Sequence, residues 1–180
     1  DKNKKGLIAE ASFGSFFLDE ISEMPLSMQV KVLRVLEEKE FYPVGGRQIV
    51  KMTARIIAAS NKNLEQEVKN GLFREDLYYR LSTVEIHLPA LRNRPDDIHL
   101  LFRKFAIDFA ERNRMPSISL TDDARHVLQD YRWPGNIRQL KNISEQLSVI
   151  ETERVIDMPT IKQYLPDYYE DKLPALYKNP

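Results

Sequence analysis

Phe16-Phe17-Leu18-Asp19-Glu20 constrains this chain more than any other stretch, because a short apolar run stops abruptly at two adjacent carboxylates. Aromatic and branched residues fill the run and polar residues bound it, the pattern of a buried strand. Two acids at the tip of such a strand are costly unless a cation or a polar ligand answers them. The alternative is a strand that simply leaves the fold into solvent at Asp19. The residues downstream decide between the two.

Pro25 to Glu38 reads as a helix, with Leu26, Val30, Leu33 and Leu36 on one face and Met28, Val32 and Val35 widening it. A face that wide implies packing against a sheet. Phe41 to Met52 reads as a hairpin, with Gly45-Gly46 supplying positive φ at its tip. Ala54 to Ser60, rich in Ile and Ala, reads as a second buried strand. Asn63 is placed to cap a short helix that Gly71 stops, and a further short helix runs from Arg74 to Leu81. Val84 to Leu88 alternates and predicts a third strand.

After Leu88 the pattern changes. Pro89 to Pro95 reads as a linker carrying Arg92 and Arg94, and beyond it only helices are expected. Pro95 opens the first, with Asp96 and Asp97 in its first turn and a stripe of Ile98, Leu101, Phe102, Phe105 and Phe109. Thr121 caps a second helix bearing Ala124, Val127 and Leu128. The turn Trp133-Pro134-Gly135-Asn136 ends it, and Asn136 is expected to cap a third, striped by Ile137, Leu140, Ile143, Leu147 and Ile150. Asp157 caps a small fourth helix, and a tail follows from Pro166. The expected organisation is an α/β part over residues 1–90, a helical part over 91–165 and a tail over 166–180.

Bulk properties exclude several classes. The chain has 180 residues, and lysine plus arginine balance aspartate plus glutamate at 27 each, so a general electrostatic grip on nucleic acid is not supported. No apolar run reaches membrane-spanning length, and no leader is visible in Asp1-Lys2-Asn3-Lys4-Lys5. Cysteine is absent, which removes disulfides and thiolate metal sites and is compatible with a reducing cytoplasm. His87, His99 and His126 are too scattered for a metal-ligand spacing and read as structural or surface residues.

Four segments in order carry a resemblance. Gly14 to Ile21 resembles the Walker B strand of an AAA+ ATPase. Arg55-Ile56-Ile57-Ala58-Ala59-Ser60-Asn61 resembles the sensor I strand. Gly71 to Leu81 resembles the arginine-finger helix, and Trp133 to Leu140 the sensor II segment of a helical lid. With Phe41-Tyr42-Pro43-Val44-Gly45-Gly46, they resemble the central AAA+ domain of sigma-54-dependent transcriptional activators, the bacterial enhancer-binding proteins. The fold this implies is a partial α/β P-loop-type parallel sheet with helices, followed by an all-α lid.

The resemblance implies roles. Asp19 would hold Mg²⁺ through water and Glu20 would polarise the attacking water. Asn61 would sense the γ-phosphate through an amide that both donates and accepts. Arg74 and Arg80 would reach the nucleotide of a neighbouring subunit, and Arg138 would face phosphate from the start of a lid helix. Val44, Gly45 and Gly46 would form a loop that transmits nucleotide state to the partner. ATP and Mg²⁺ are the implied cofactors and the sigma-54 RNA polymerase holoenzyme the implied partner. The implied assembly is a cytoplasmic ring, a hexamer, that meets DNA only through a separate domain.

One departure matters. A P-loop requires Gly-x-x-x-x-Gly-Lys followed by Ser or Thr, and none of the six glycines here is followed by lysine. The sigma-gripping Gly-Ala-Phe-Thr-Gly-Ala loop and a helix-turn-helix domain are also missing. The expectation is therefore a piece of such a domain that neither binds ATP tightly nor hydrolyses it alone. The competing reading is a noncatalytic α/β interaction or oligomerisation module; a third, a metal hydrolase built on Asp19 and Glu20, lacks further clustered ligands.

Overall fold

In a computed structural model, residues 6–43, 46, 48–166 and 168 are described. The chain divides into two units, Asp1–Ile86 and His87–Pro180. In the first, helix α1 (Leu7–Glu10) leads to strand β1 (Ser15–Leu18), a 3₁₀ turn (Ile21–Glu23) and helix α2 (Leu26–Glu38). A hairpin of β2 (Glu40–Phe41) and β3 (Val50–Lys51) follows, then β4 (Arg55–Ala58), α3 (Leu64–Lys69) and α4 (Glu75–Leu81).

β1 and β4 pair in parallel, with Phe16 opposite Ile56, Phe17 opposite Ile57 and Leu18 opposite Ala58. Their inner residues Leu18, Ile56 and Ala58 pack on a core of Ile21, Leu33, Leu36, Met52, Phe73 and Leu77. Each fully buried Leu there contributes about 1.5–3 kcal/mol. The two strands are not buried on both faces as the sequence suggested: Phe17 is 56% and Ile57 40% exposed. Side chains alternate across a strand, and helices cover only one side of this two-stranded sheet.

The expected third strand does not form. Val84, Ile86 and Leu88 are 80%, 81% and 87% exposed, and the segment has no ladder partner among the described residues. Alternation favours a strand, but a strand also needs a neighbour for its backbone groups.

Helix α2 buries Leu33 and Leu36, while Leu26 and Met28 are 47% and 43% exposed, so its face is narrower than the apolar pattern implies. The hairpin forms in the expected place, with Glu40 opposite Lys51 and Phe41 opposite Val50. Of its tip, Val44 and Gly45 lie outside the described residues. Gly46 donates its N–H to Pro43 O at 2.9 Å and does not take the positive φ expected of it. Gly71 does, at φ 73°, just beyond α3. Asn63 caps α3 as its side chain accepts the Gln66 N–H at 3.0 Å.

The second unit contains α5 (Pro95–Asn113), β5 (Ser119–Leu120), α6 (Asp122–Asp130), α7 (Asn136–Ile150), β6 (Val155–Ile156) and α8 (Met158–Gln163). It is not purely helical, because β5 and β6 form a two-residue parallel ladder. The deepest positions of α5 beyond Phe102 are Ala106 and Ala110, not Phe105 and Phe109; α7 buries Ser144 and Ser148 along with Leu140, Ile143 and Leu147, whereas Ile150 is 61% exposed. Small residues on both helices let their backbones approach closely. Ser148 Oγ donates to Ser144 O at 2.7 Å, which satisfies that hydroxyl inside the contact.

Trp133 lies in this core at 1% exposure, its indole N–H donating to Leu128 O at 2.8 Å. Thr121 and Asp157 cap α6 and α8 as the sequence suggests. Asn136 does not cap α7. It sits at φ 53°, and its side-chain oxygen accepts the backbone N–H of Leu91 at 3.0 Å, which fixes the turn leading into α5. Gln139 instead reaches back to the Gly135 N–H at 3.0 Å.

Candidate functional site

The carboxyl ends of β1 and β4 lie side by side because the strands are parallel neighbours. In open parallel sheets, ligands bind outside such ends. Ala59 N–H donates to Leu18 O at 2.9 Å, and Ile21 N–H donates to Ala59 O at 2.9 Å. The ladder therefore resumes on both sides of Asp19-Glu20, and these two residues loop out of it as a bulge does. Glu20 takes a left-handed backbone (φ 50°, ψ 45°), a conformation that costs a non-glycine residue about 1 kcal/mol or more. Its N–H is held by Asp19 Oδ1 at 3.0 Å.

Both acids are exposed, so the cost of buried charge that first pointed to a cation does not arise here. What distinguishes them is the strained loop that presents them. Ser22, just beyond, is buried with its hydroxyl unpartnered among the described residues.

Asn61 occupies an exposed bend three residues after β4. The bend is pinned by Ser60 Oγ, which donates to Lys62 O at 2.8 Å and accepts the Lys62 N–H at 3.0 Å. Lys62 Nζ then meets Glu23 Oε1 at 2.7 Å, tying the loop after β4 to the loop after β1. The hydrogen bond from Lys62 to Glu23, with its charge, raises the lysine pKa above its ordinary value. Asp19, Glu20 and Asn61 thus all lie in the two loops that follow the carboxyl ends of the paired strands. This clamp was missed in the sequence, where Glu23 and Lys62 look like ordinary surface charges.

Arg74 stands at the N-terminus of α4 and makes a two-toothed contact with Asp76, Nε to Oδ1 at 3.0 Å and Nη2 to Oδ2 at 2.6 Å. That bond raises the pKa of Arg74 and lowers that of Asp76. Arg80 in the last turn donates from Nη2 to Leu36 O at 3.2 Å, on the last turn of α2. The two arginines are engaged differently, one by a neighbouring carboxylate and the other by the adjacent helix. Arg138 is exposed in the first turn of α7, in the other unit. Among the described residues no cluster of His, Asp or Glu forms a metal site by itself. An aqua-bridged Mg²⁺ fits better, because Asp19 Oδ1 is engaged by Glu20 while the exposed carboxylate keeps its second oxygen for a water.

Residues 1–87 match the Sigma-54 interaction domain family, and residues 92–174 match the AAA+ ATPase lid domain family. The chain is 44% identical over 159 residues to the regulatory protein AtoC of Escherichia coli, covering 87% of this chain and 34% of AtoC. It is 46% identical over 156 residues to the transcriptional regulatory protein ZraR of the same organism, covering 87% of this chain and 35% of ZraR. The crystal structure of NtrX from Brucella abortus in complex with ATP superposes with a TM-score of 0.82 at 39% identity, covering 94% of this chain and 38% of NtrX. The chain spans about a third of the length of its curated relatives. Sequence and fold together place it in the family of sigma-54-dependent transcriptional regulators, as a stretch of their AAA+ ATPase domain that joins sigma-54 interaction sequence to the lid.

Proposed function

We propose that the full-length protein carrying this stretch is an ATP-driven activator that remodels sigma-54 RNA polymerase so that promoter DNA can open. The observation that carries the reading is the paired strand ends: an acid pair on a strained loop and an amide on a pinned bend, clamped together by Lys62 and Glu23. NtrX, crystallised with ATP and with ADP, supports nucleotide as the ligand.

In this reading Asp19 would hold Mg²⁺, which would supply neutralisation of phosphate charge when bound. Glu20 takes the proton of the attacking water, and Asn61 orients that water against the γ-phosphate. Arg74 and Arg80 serve a neighbouring subunit's nucleotide in a ring, a hexamer. Arg74 must first leave Asp76, an exchange between two anions that an exposed pair permits. Arg138 contributes a guanidinium from the lid, and the loop at Val44, Gly45 and Gly46 touches the polymerase. DNA is met through a separate domain, and the protein works in the cytoplasm.

The test is Glu20→Gln in the full-length protein. ATP should bind and remain unhydrolysed, measured as retained radiolabelled nucleotide; brisk hydrolysis removes Glu20 from its role. The 180-residue chain alone, which has no P-loop, should show no micromolar ATP affinity by calorimetry with Mg²⁺.

A further inference from the structure

Gln29 is a polar residue with no exposed surface, in the first turn of helix α2. Its position among the valines and leucines of α2 marks it as a break in the apolar face. The structure shows what it does there. Its Nε2 donates to Met24 O at 2.8 Å and to Leu72 O at 3.1 Å, and its Oε1 accepts the backbone N–H of Arg74 at 2.8 Å. One side-chain amide thus pairs with the carbonyl before Phe73 and the N–H after it, as an adjacent strand would. Phe73 between them is driven into the core at 3% exposure.

Arg74 is the N-cap residue of α4, so Gln29 grips that helix at its cap. At the far end, Arg80 bonds Leu36 O, again on α2. Leu77, between the two, is fully buried in the core that also contains Leu33 and Leu36. Helix α4 is therefore fastened to α2 at both ends and along its middle. Only the Gln29 fastening is both buried and directional, since an apolar contact tolerates sliding and a hydrogen-bonded amide does not.

We propose that Gln29 is the positioning residue for the arginine-bearing helix: it sets where α4 begins relative to α2, and so where Arg74 and Arg80 are presented to a neighbouring subunit. This rests on the roles proposed for those arginines. Gln29 itself touches no substrate. The side chain must be an amide of this length, because Glu would set oxygens against the carbonyls of Met24 and Leu72, and Asn is one methylene short.

The test uses the full-length protein. Gln29→Leu should lower kcat at least tenfold while the Kd for ATP stays within twofold, since its own Asp19 and Glu20 are intact. Mixing Gln29→Leu subunits with Glu20→Gln subunits should restore turnover above either alone, because each supplies what the other lacks across the boundary. Arg80→Ala mixed with Glu20→Gln is the control. If that control fails to restore turnover, the arginine reading fails and this proposal with it. If the control restores turnover and the Gln29→Leu mixture does not, the arginines act in trans but Gln29 does not position them, and the proposal is overturned. Should Gln29→Leu fail to fold, Gln29→Asn takes its place, with hydrogen exchange as an added readout. Faster exchange at the Arg74 amide with α2 amides still protected supports the proposal; unchanged exchange overturns it.

Discussion

Lys62 Nζ lies 2.7 Å from Glu23 Oε1, and this contact joins the two loops that follow the parallel strands β1 and β4. Both side chains are about half exposed, so the pair adds little to fold stability. Its consequence is geometric: it links the segment after Asp19 and Glu20 to the segment after Asn61. Lys62→Ala should leave the melting temperature nearly unchanged but lower ATP turnover of the full-length protein by about tenfold, since small misplacements of reacting groups are costly. Equal losses of stability and turnover would contradict this. The bond raises the lysine pKa, so what stabilisation it gives is complete below the ordinary lysine range and disappears as pH rises through the elevated value.

Glu20 occupies left-handed backbone at φ 50°, where glycine is unstrained. Glu20→Gly should therefore raise the stability of the chain slightly, by up to about 1 kcal/mol, while abolishing turnover in the full-length protein. Thermal unfolding and an ATPase assay on the same variant check both halves. A destabilised variant would show that the loop is held by the Glu20 side chain instead.

Gly71 takes φ 73° with nothing within 4 Å of where a Cβ would stand. Gly71→Ala meets no clash, so its cost is backbone strain alone, about 1–2 kcal/mol. Chemical denaturation of the variant measures it.

Tyr164 Oη donates to Glu151 Oε1 at 2.5 Å, and this bond, with burial and the carboxylate charge, pushes the phenol pKa up to about 12. The folded state thus favours the neutral phenol. Its stabilising contribution is complete below pH about 10, the ordinary tyrosine value, and is lost as pH rises towards 12. Tyr164→Phe should delete a tyrosinate transition near pH 12 in an ultraviolet titration and flatten the alkaline loss of stability in that window.

Trp133 is the single tryptophan of the chain and lies in the second unit's core, so its fluorescence reports that unit. Thr121→Ala, which removes the α6 cap, should shift its denaturation by about 1 kcal/mol. Leu128→Ala, at a fully buried position, should cost about 2–5 kcal/mol. A cap variant as costly as the core variant would mean that Thr121 is engaged in more than capping.

Much of this molecule was legible residue by residue. The caps at Asn63, Thr121 and Asp157 and the helix stop at Gly71 involve groups within a few positions of each other, so their local chemistry already determines them. The order of the four motif segments likewise pointed to the family and to the candidate residues Asp19, Glu20, Asn61, Arg74, Arg80 and Arg138. Other features depend on partners far along the chain. Gln29 meets Arg74 across 45 positions, Asn136 meets Leu91 across the same separation, and Arg80 meets Leu36 across 44. No periodicity encodes such pairings, because they arise only when helices pack and buried polar groups must find whichever partner is then in reach. The same holds for exposure: Phe17 and Ile57 have every local mark of interior residues, yet a side chain is buried only where another element covers it, and that the tertiary structure alone decides.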